Sequence, residues 1–129
     1  MTHNKRQLPL LDASVLNELR EELQNDETIW KAFVRNYHTY LPSRIERLRL
    51  TLLAANLESA KDAVLSLRTS SQMIGAKQLA WLAQQIEDAL NEDTKGNDAT
   101  VLPHIAHTRL QQVSICAQQT GQRLHPLLN

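Results

Sequence analysis

Apolar residues recur at spacings of three and four along most of the chain, which is the repeat of an amphipathic α-helix. Only three of the 129 residues are glycine, so few positions favour sharp turns. A chain with this repeat should fold as an all-α protein. Its length fits one domain whose core needs no disulfide or metal. We therefore predict a single domain over residues 1–129, with loose tails at 1–11 and 125–129.

Five helices are predicted from the apolar repeats and from the residues that separate them. Asp12 and Thr100 are suitable N-caps for the first and last helix, and Gly75 is a natural stop for the third. Short connections favour an antiparallel up-down-up-down four-helix bundle, with the short first helix as a cap at one end. The predicted spans are about 13–24, 27–54, 57–73, 77–91 and from about 100 to an end marked by Gly121 and Pro126.

Two prolines constrain the long helices. Pro42 lies inside the second helix, where a proline costs about 3 kcal/mol unless the helix bends or breaks, so we predict a kink. Pro103 falls in the first turn of a helix that starts at Thr100, where its missing N–H is harmless. The apolar stripe of the second helix, expected to be core, consists of Ile29, Phe33, Tyr37, Tyr40, Leu41, Leu48 and Leu52.

Charge and cysteine content exclude several classes of function. Lys and Arg number 14, and so do Asp and Glu, so the neutral chain has no electrostatic footprint for nucleic acid. No apolar run approaches the ~20 residues of a membrane span, and residues 1–7 do not resemble a secretory signal. The single Cys116 rules out an internal disulfide and fits a reducing compartment. We expect a cytoplasmic protein without nucleic-acid or membrane partners.

The clearest functional signal lies at residues 63–76, which read A-V-L-S-L-R-T-S-S-Q-M-I-G-A. This segment resembles the signature of histidine-containing phosphotransfer (HPt) domains, which is roughly A-x-H-x-L-K-G-S-x-x-x-(L/I)-G-A. Leu65 stands in place of the histidine, and Thr69 stands in place of the glycine. The resemblance extends over about residues 12–89. The positions of 63–76 that fit the signature include Leu67, Arg68, Ser70, Ile74, Gly75 and Ala76.

The resemblance implies a signalling module of two-component phosphorelay systems. HPt domains are helical bundles that carry a phosphoryl group on an imidazole nitrogen. Leucine has no nucleophile, so the chain resembles the pseudo-HPt proteins, which keep the bundle and lose the histidine. The implied partner is a receiver domain of a response regulator or a hybrid histidine kinase. We expect docking without phosphotransfer, no enzymatic activity and no cofactor.

The candidate partner-binding face lies on the third helix. At ~100° per residue, Leu65 points about 140° away from the centre of the helix's apolar stripe. Its neighbours on this face are polar. A lone exposed leucine is ordinary, so its position in the signature is what distinguishes it. Arg68 could neutralise a transferred charge or could be a solvated arginine. The candidate face comprises Lys61, Leu65, Arg68, Thr69 and Gln72.

Two alternatives stay open. The chain could transfer phosphate through a non-standard histidine, although none of its five histidines lies between positions 56 and 76. It could instead be a helical scaffold or homodimer, with Leu65 and Trp81 as self-association contacts. His104 and His107 are three residues apart, but no cysteine or carboxylate cluster completes a zinc site around them. We therefore expect no metal.

Overall fold

The structure is a computed structural model that describes residues 8–92 and 96–128. Within these ranges it contains helices and no strand, which confirms the all-α prediction. The C-terminal end of the last α-helix is followed directly by a short 3₁₀ helix. The helices are α1 (Ala13–Glu22), α2 (Glu27–Leu53), α3 (Leu57–Ile74), α4 (Lys77–Asn91), α5 (Asp98–Leu124) and the 3₁₀ helix (His125–Leu128).

Four of the helices form the bundle. α2 packs against α3, α3 against α4, α4 against α5, and α5 returns to pack against α2. The pairs α2–α5 and α3–α4 therefore form opposite sides of the bundle. α1 packs against α3 and α2. This arrangement confirms the predicted four-helix bundle with a short N-terminal capping helix. Among the described helices, none is both long enough and apolar enough to cross a membrane.

Gly75 ends α3, and its backbone contacts the residue that precedes α1. Its φ of +83° lies in the left-handed region, and the amide of Ala76 donates to the carbonyl of Ser71 at 2.9 Å, which closes the helix end. The carbonyl of Gly75 accepts a 2.8 Å hydrogen bond from the amide of Asp12. A Cβ at position 75 would lie 2.8 Å from the carbonyl oxygen of Asp12. Glycine is therefore required here both by the backbone conformation and by the close approach of α1.

Asp12 caps α1, as predicted. Its carboxylate accepts hydrogen bonds from the Ser14 amide at 2.9 Å and the Ser14 hydroxyl at 2.7 Å. Lys77 Nζ lies 3.1 Å from the other carboxylate oxygen. The Ser14 hydroxyl, followed by Lys77, lowers the pKa of Asp12 to about 2 because both stabilise the ionised form. The cap thus ties the first turn of α1 to the first residue of α4.

The core follows the predicted stripes of α3, α4 and α5. In α2, Tyr37, Leu41, Leu48 and Leu52 are buried as predicted, but the stripe is rotated at the start of the helix. Ile29 and Tyr40 were expected in the core, and both are exposed. Trp30 is buried instead, because its indole N–H donates to the carbonyl of Leu16 at 3.3 Å, and Arg20 lies over its ring. α1 therefore covers Trp30 rather than its neighbour. The stripe residues of α3, α4 and α5 that are buried as predicted include Val64, Leu67, Ile74, Leu79, Ile86, Leu102, Val113 and Leu124.

The buried polar contact between α2 and α3 is a hydrogen bond between two hydroxyls. The Tyr37 and Ser71 side-chain oxygens lie 2.8 Å apart, and both residues are buried. Burial raises the pKa of Tyr37 to about 12, because the phenolate would have to form out of contact with water. Each hydroxyl thus has a partner in the core.

The last helix differs from its prediction at its start, whereas its end at Leu124 lies between Gly121 and Pro126, as predicted. α5 begins at Asp98, two residues before the predicted start, so Thr100 is not its N-cap and Pro103 lies beyond the first turn. Asn97, Asp98 and Thr100 are all residue types that start helices, and the sequence does not rank them. The helix continues through Gly121 to Leu124, because the fully buried Leu124 contributes packing that outweighs the ~1 kcal/mol cost of an interior glycine.

α2 runs without a break across Pro42. The helix therefore accommodates the proline without ending there, and the predicted kink stays a prediction. Pro42 has no N–H, so it cannot donate to the carbonyl of His38 one turn earlier.

The described parts of the predicted tails pack against the bundle. The side-chain amide of Gln78 donates to the carbonyl of Leu8 at 2.8 Å. These stretches are therefore not loose, contrary to the prediction, because their leucines bury apolar surface. Residues 1–7 and 129 of the predicted tails, and 93–95 of the predicted loop, lie outside the described residues. The tail leucines packed against the core are Leu10, Leu11, Leu127 and Leu128.

Candidate functional site

Leu65 points away from the core of the bundle. Its exposed fraction is 43%, whereas Val64 beside it and Leu67 are fully buried. The Asn56 side chain accepts from the Ser59 amide at 3.1 Å and fixes the start of α3, and Gly75 fixes its end. The rotation of the helix is therefore set by its buried stripe and its two caps. The predicted outward orientation of Leu65 is confirmed.

The polar side chains around Leu65 are placed by the same helix. Lys61, Thr69 and Gln72 are exposed, as expected from the periodicity. The hydroxyl of Thr69 donates to the carbonyl of Leu65 at 2.8 Å. Its proton is therefore committed to the backbone one turn earlier, and the branched side chain stands beside Leu65 where the HPt signature has glycine.

Arg68 is held between two helices rather than solvated. Its Nε lies 2.9 Å from Glu87 Oε1, and its Nη2 donates to Glu87 Oε2 at 3.4 Å. Its Nη1 donates to Gln72 Oε1 at 3.2 Å. The exposed fractions of the two charged side chains are 21% and 16%. Of the two alternatives for Arg68, a freely solvated arginine does not fit, because its pairing with Glu87 links α3 to α4.

Met73 extends the apolar part of this face and was missed by the sequence reasoning. It is exposed and follows Leu65 by eight residues and Thr69 by four, so the three side chains lie in one row along α3. It also borders a shallow depression against α1 that Val15 and Gln72 help to line. The i, i+4, i+8 spacing was the signal that could have identified it.

Trp81 is partly buried and packs against the core. With Gln72, Lys77 and Leu8 it lines a depression of about 320 Å³ at the edge of α3 and α4. Its position is therefore that of a packed residue that also borders the candidate face. This location fits both packing against the core and contact with a partner.

Among the described residues, neither α3, which carries Leu65, nor α4 contains a histidine. His38 is on α2, His104 and His107 are on α5, and His125 begins the 3₁₀ helix. His3 lies outside the described residues. Over the ranges 8–92 and 96–128, no group of three or more histidine, cysteine and carboxylate side chains could hold a metal ion.

The candidate face combines apolar surface with polar and charged side chains. Leu65 and Met73 supply apolar surface, and Lys61 supplies a cation one turn before Leu65. The charge of Arg68 is opposed by Glu87, and the Thr69 hydroxyl is bonded to the backbone.

The fold is similar to that of histidine-containing phosphotransfer protein B (HptB) from Pseudomonas aeruginosa PAO1, known from a crystal structure. The match has a TM-score of 0.58 at 20% sequence identity, and it covers 89% of this chain and 96% of that chain. No protein-family model and no curated protein matches the sequence. The chain therefore has an HPt-like fold, as the resemblance of residues 63–76 implies.

Proposed function

We propose that this chain is a signalling module of two-component phosphorelay systems that docks receiver domains without accepting phosphate. The observation that carries the proposal is an exposed Leu65 at the signature position of the HPt histidine, on an HPt-like fold. The partner would be the receiver domain of a response regulator or of a hybrid histidine kinase. The docking face would be Lys61, Leu65, Arg68, Thr69 and Gln72, with Met73 at its edge.

Phosphotransfer requires a bonding atom that leucine lacks. An aspartyl phosphate is attacked in line by a neutral imidazole nitrogen, whose pKa near working pH keeps that form available. No electrostatic assistance from Arg68 replaces the nucleophile, and Glu87 already opposes its charge. A receiver docked here would keep its phosphoryl group. The chain would then compete with a true HPt domain or hold the receiver in one conformation.

An apolar side chain at the centre of a small docking face can stabilise a complex. Burying a whole leucine contributes about 2–3 kcal/mol. Leu65 is 43% exposed in the free chain, so docking can bury only that fraction. The expected contribution is then ~1 kcal/mol, or about a fivefold change in Kd. This effect is small enough to need a matched control.

The test is a titration of the ¹⁵N-labelled chain with candidate receiver domains. The expected result is a shift of amides within residues 61–73, with residues of α5 unaffected. If no receiver perturbs residues 61–73, the proposal fails. An acid-labile phosphoryl label on the chain after incubation with a phosphorylated receiver would favour the alternative of an active phosphotransferase.

A helical scaffold or dimerisation module is the second candidate. The observation that favours it is the exposed apolar row of Leu65 and Met73, which could equally contact a second copy. Sedimentation distinguishes the two. A monomer at high concentration argues against the scaffold, and a dimer that Leu65→Ala dissociates argues for it.

A further inference from the structure

The formal charges of the chain are divided unevenly between the two sides of the bundle. α2 and α5 together carry seven basic and three acidic side chains, a net charge of +4. α3 and α4 together carry three basic and four acidic side chains, a net charge of −1, and α1 adds one basic and three acidic side chains. All four described histidines also belong to α2, α5 or the 3₁₀ helix that follows α5. The neutral total of the chain conceals this asymmetry.

An apolar groove runs between α2 and α5 on the basic side. Its volume is about 360 Å³. This side of the bundle is opposite to the α3–α4 side that contains the Arg68–Glu87 pair. Both helices form the walls of the groove. The residues that line it include His38, Pro42 and Ile45 of α2 and Ala117, Gln118 and Gly121 of α5.

Two residues that line the groove, Gly121 and Pro42, are unfavourable inside an α-helix. Gly121 lies inside a helix, although a Cβ there would meet His38 Nε2 at 3.6 Å, an ordinary van der Waals contact. An alanine would therefore fit and would favour the helix, but it would narrow the groove. Pro42 cannot donate to the carbonyl of His38, so this backbone acceptor lacks its usual helical partner beside the groove.

Two arginines of α2 lie in the same row of the helix as residues that line the groove. Arg35, His38, Pro42, Ile45 and Arg49 follow one another at i, i+3, i+7, i+10 and i+14, which places them in one row on the helix. Arg49 is paired with Glu46. Arg35 at the other end is exposed, and across the part of the chain that the structure describes no ion pair joins it to a carboxylate.

We propose that the α2–α5 groove binds an acidic amphipathic helix of a partner protein, which would pack as a fifth helix on the bundle. Apolar side chains at i, i+3, i+4 and i+7 of that helix would enter the groove, and its carboxylates would face Arg35. The apolar walls favour a helix with an apolar face over a nucleic-acid backbone, which has nothing to bury there. The site lies on the opposite side from the Leu65 face, so it does not rest on receiver docking.

The probe is a fluorescein-labelled synthetic peptide of 18 residues, with leucine at the i, i+3, i+4, i+7 repeat and glutamate at most other positions. In helical form it would be about 27 Å long. A second peptide of the same composition has its leucines scrambled. The expected result is saturable binding of the first peptide only, with amide shifts at His38, Ala117 and Gly121.

Two variants of α5 form a matched pair. Gly121→Leu fills the groove, whereas Gln122→Leu adds the same side chain at the next, exposed position. We expect Gly121→Leu to weaken peptide binding at least tenfold and Gln122→Leu to change it less than twofold. Arg35→Glu should also weaken binding about tenfold, and Leu65→Ala should not affect it. Circular dichroism establishes that each variant is folded.

Several results would overturn the proposal. These are no binding of the patterned peptide, equal binding of the scrambled peptide, or equal effects of Gly121→Leu and Gln122→Leu. Displacement of the peptide by a 20-nucleotide DNA would assign the basic side to nucleic acid. A dimer that Gly121→Leu dissociates would assign the groove to a second copy of the chain.

Discussion

Removing the guanidinium of Arg68 should destabilise the fold, because this side chain is part of the contact between α3 and α4. Its Nε and Nη2 atoms face the two carboxylate oxygens of Glu87, at 2.9 and 3.4 Å. Only 21% of the Arg68 side chain and 16% of the Glu87 side chain are exposed, so water screens the pair poorly. Arg68→Ala would leave the carboxylate of Glu87 without its cation at a half-buried position.

The expected loss of stability follows from the burial of the ion pair and from its hydrogen bond, which Arg68 Nη2 donates to Glu87 Oε2 at 3.4 Å. Hydrogen bonds to charged groups contribute about 1.5–3 kcal/mol, so we expect Arg68→Ala to cost ~2 kcal/mol of the free energy of unfolding. That corresponds to a decrease in Tm of roughly 7 °C for a chain of this size. The coupling between Arg68 and Glu87 in a double-mutant cycle should be about 1.5 kcal/mol.

The chain offers a matched control pair. Arg49 and Glu46 also form an ion pair, but their side chains are 46% and 51% exposed and lie three residues apart on one helix. Their coupling should be much smaller than that of Arg68 and Glu87, because water and salt screen an exposed pair. Urea denaturation followed by circular dichroism would measure both cycles, with Glu87→Gln and Glu46→Gln as the second substitutions. Equal coupling energies for the two pairs would show that burial does not strengthen the Arg68–Glu87 pair.

Two further predictions concern the junction of α1, α3 and α4. Gly75→Ala should cost about 2–3 kcal/mol in urea denaturation, from the left-handed backbone and the contact with the Asp12 carbonyl. Gly96→Ala, also at positive φ but with open space around it, should cost about 1 kcal/mol, and equal costs would show that the contact is unimportant. Because the pKa of Asp12 is lowered to about 2, its contribution is present above the unfolded pKa of about 4 and is lost as the pH falls towards 2. Asp12→Asn should flatten that loss of stability, and an unchanged pH profile would count against the assigned role.

The fold could be predicted largely from periodicity, because burial repeats with the helix. The spans of α2, α3 and α4 came within one residue at each end, and Gly75 marked the end of α3. Which side of α2 faces the core at the start of the helix could not be predicted, because Ile29 and Trp30 are adjacent and both apolar. Only the contact of Trp30 with α1 selects between them.

Features of the candidate site that depend on one helix could be predicted from the sequence. Features that depend on how two helices pack could not. The exposure of Leu65 follows from the stripe of α3 alone. The pairing of Arg68 with Glu87 depends on the relative rotation of α3 and α4, which spacing within either helix does not determine. The asymmetry of charge was accessible from the sequence by summing over each predicted helix instead of over the whole chain.

The most direct test of receiver docking is the affinity of a receiver domain for two matched variants. Leu65→Ala and Ile115→Ala remove aliphatic side chains of equal size that are 43% and 49% exposed, on α3 and α5. Isothermal titration calorimetry should give a Kd about fivefold weaker for Leu65→Ala, from ~1 kcal/mol of lost burial, and a change under twofold for Ile115→Ala. Equal effects of the two substitutions, or no effect of Leu65→Ala, would contradict docking through the Leu65 face.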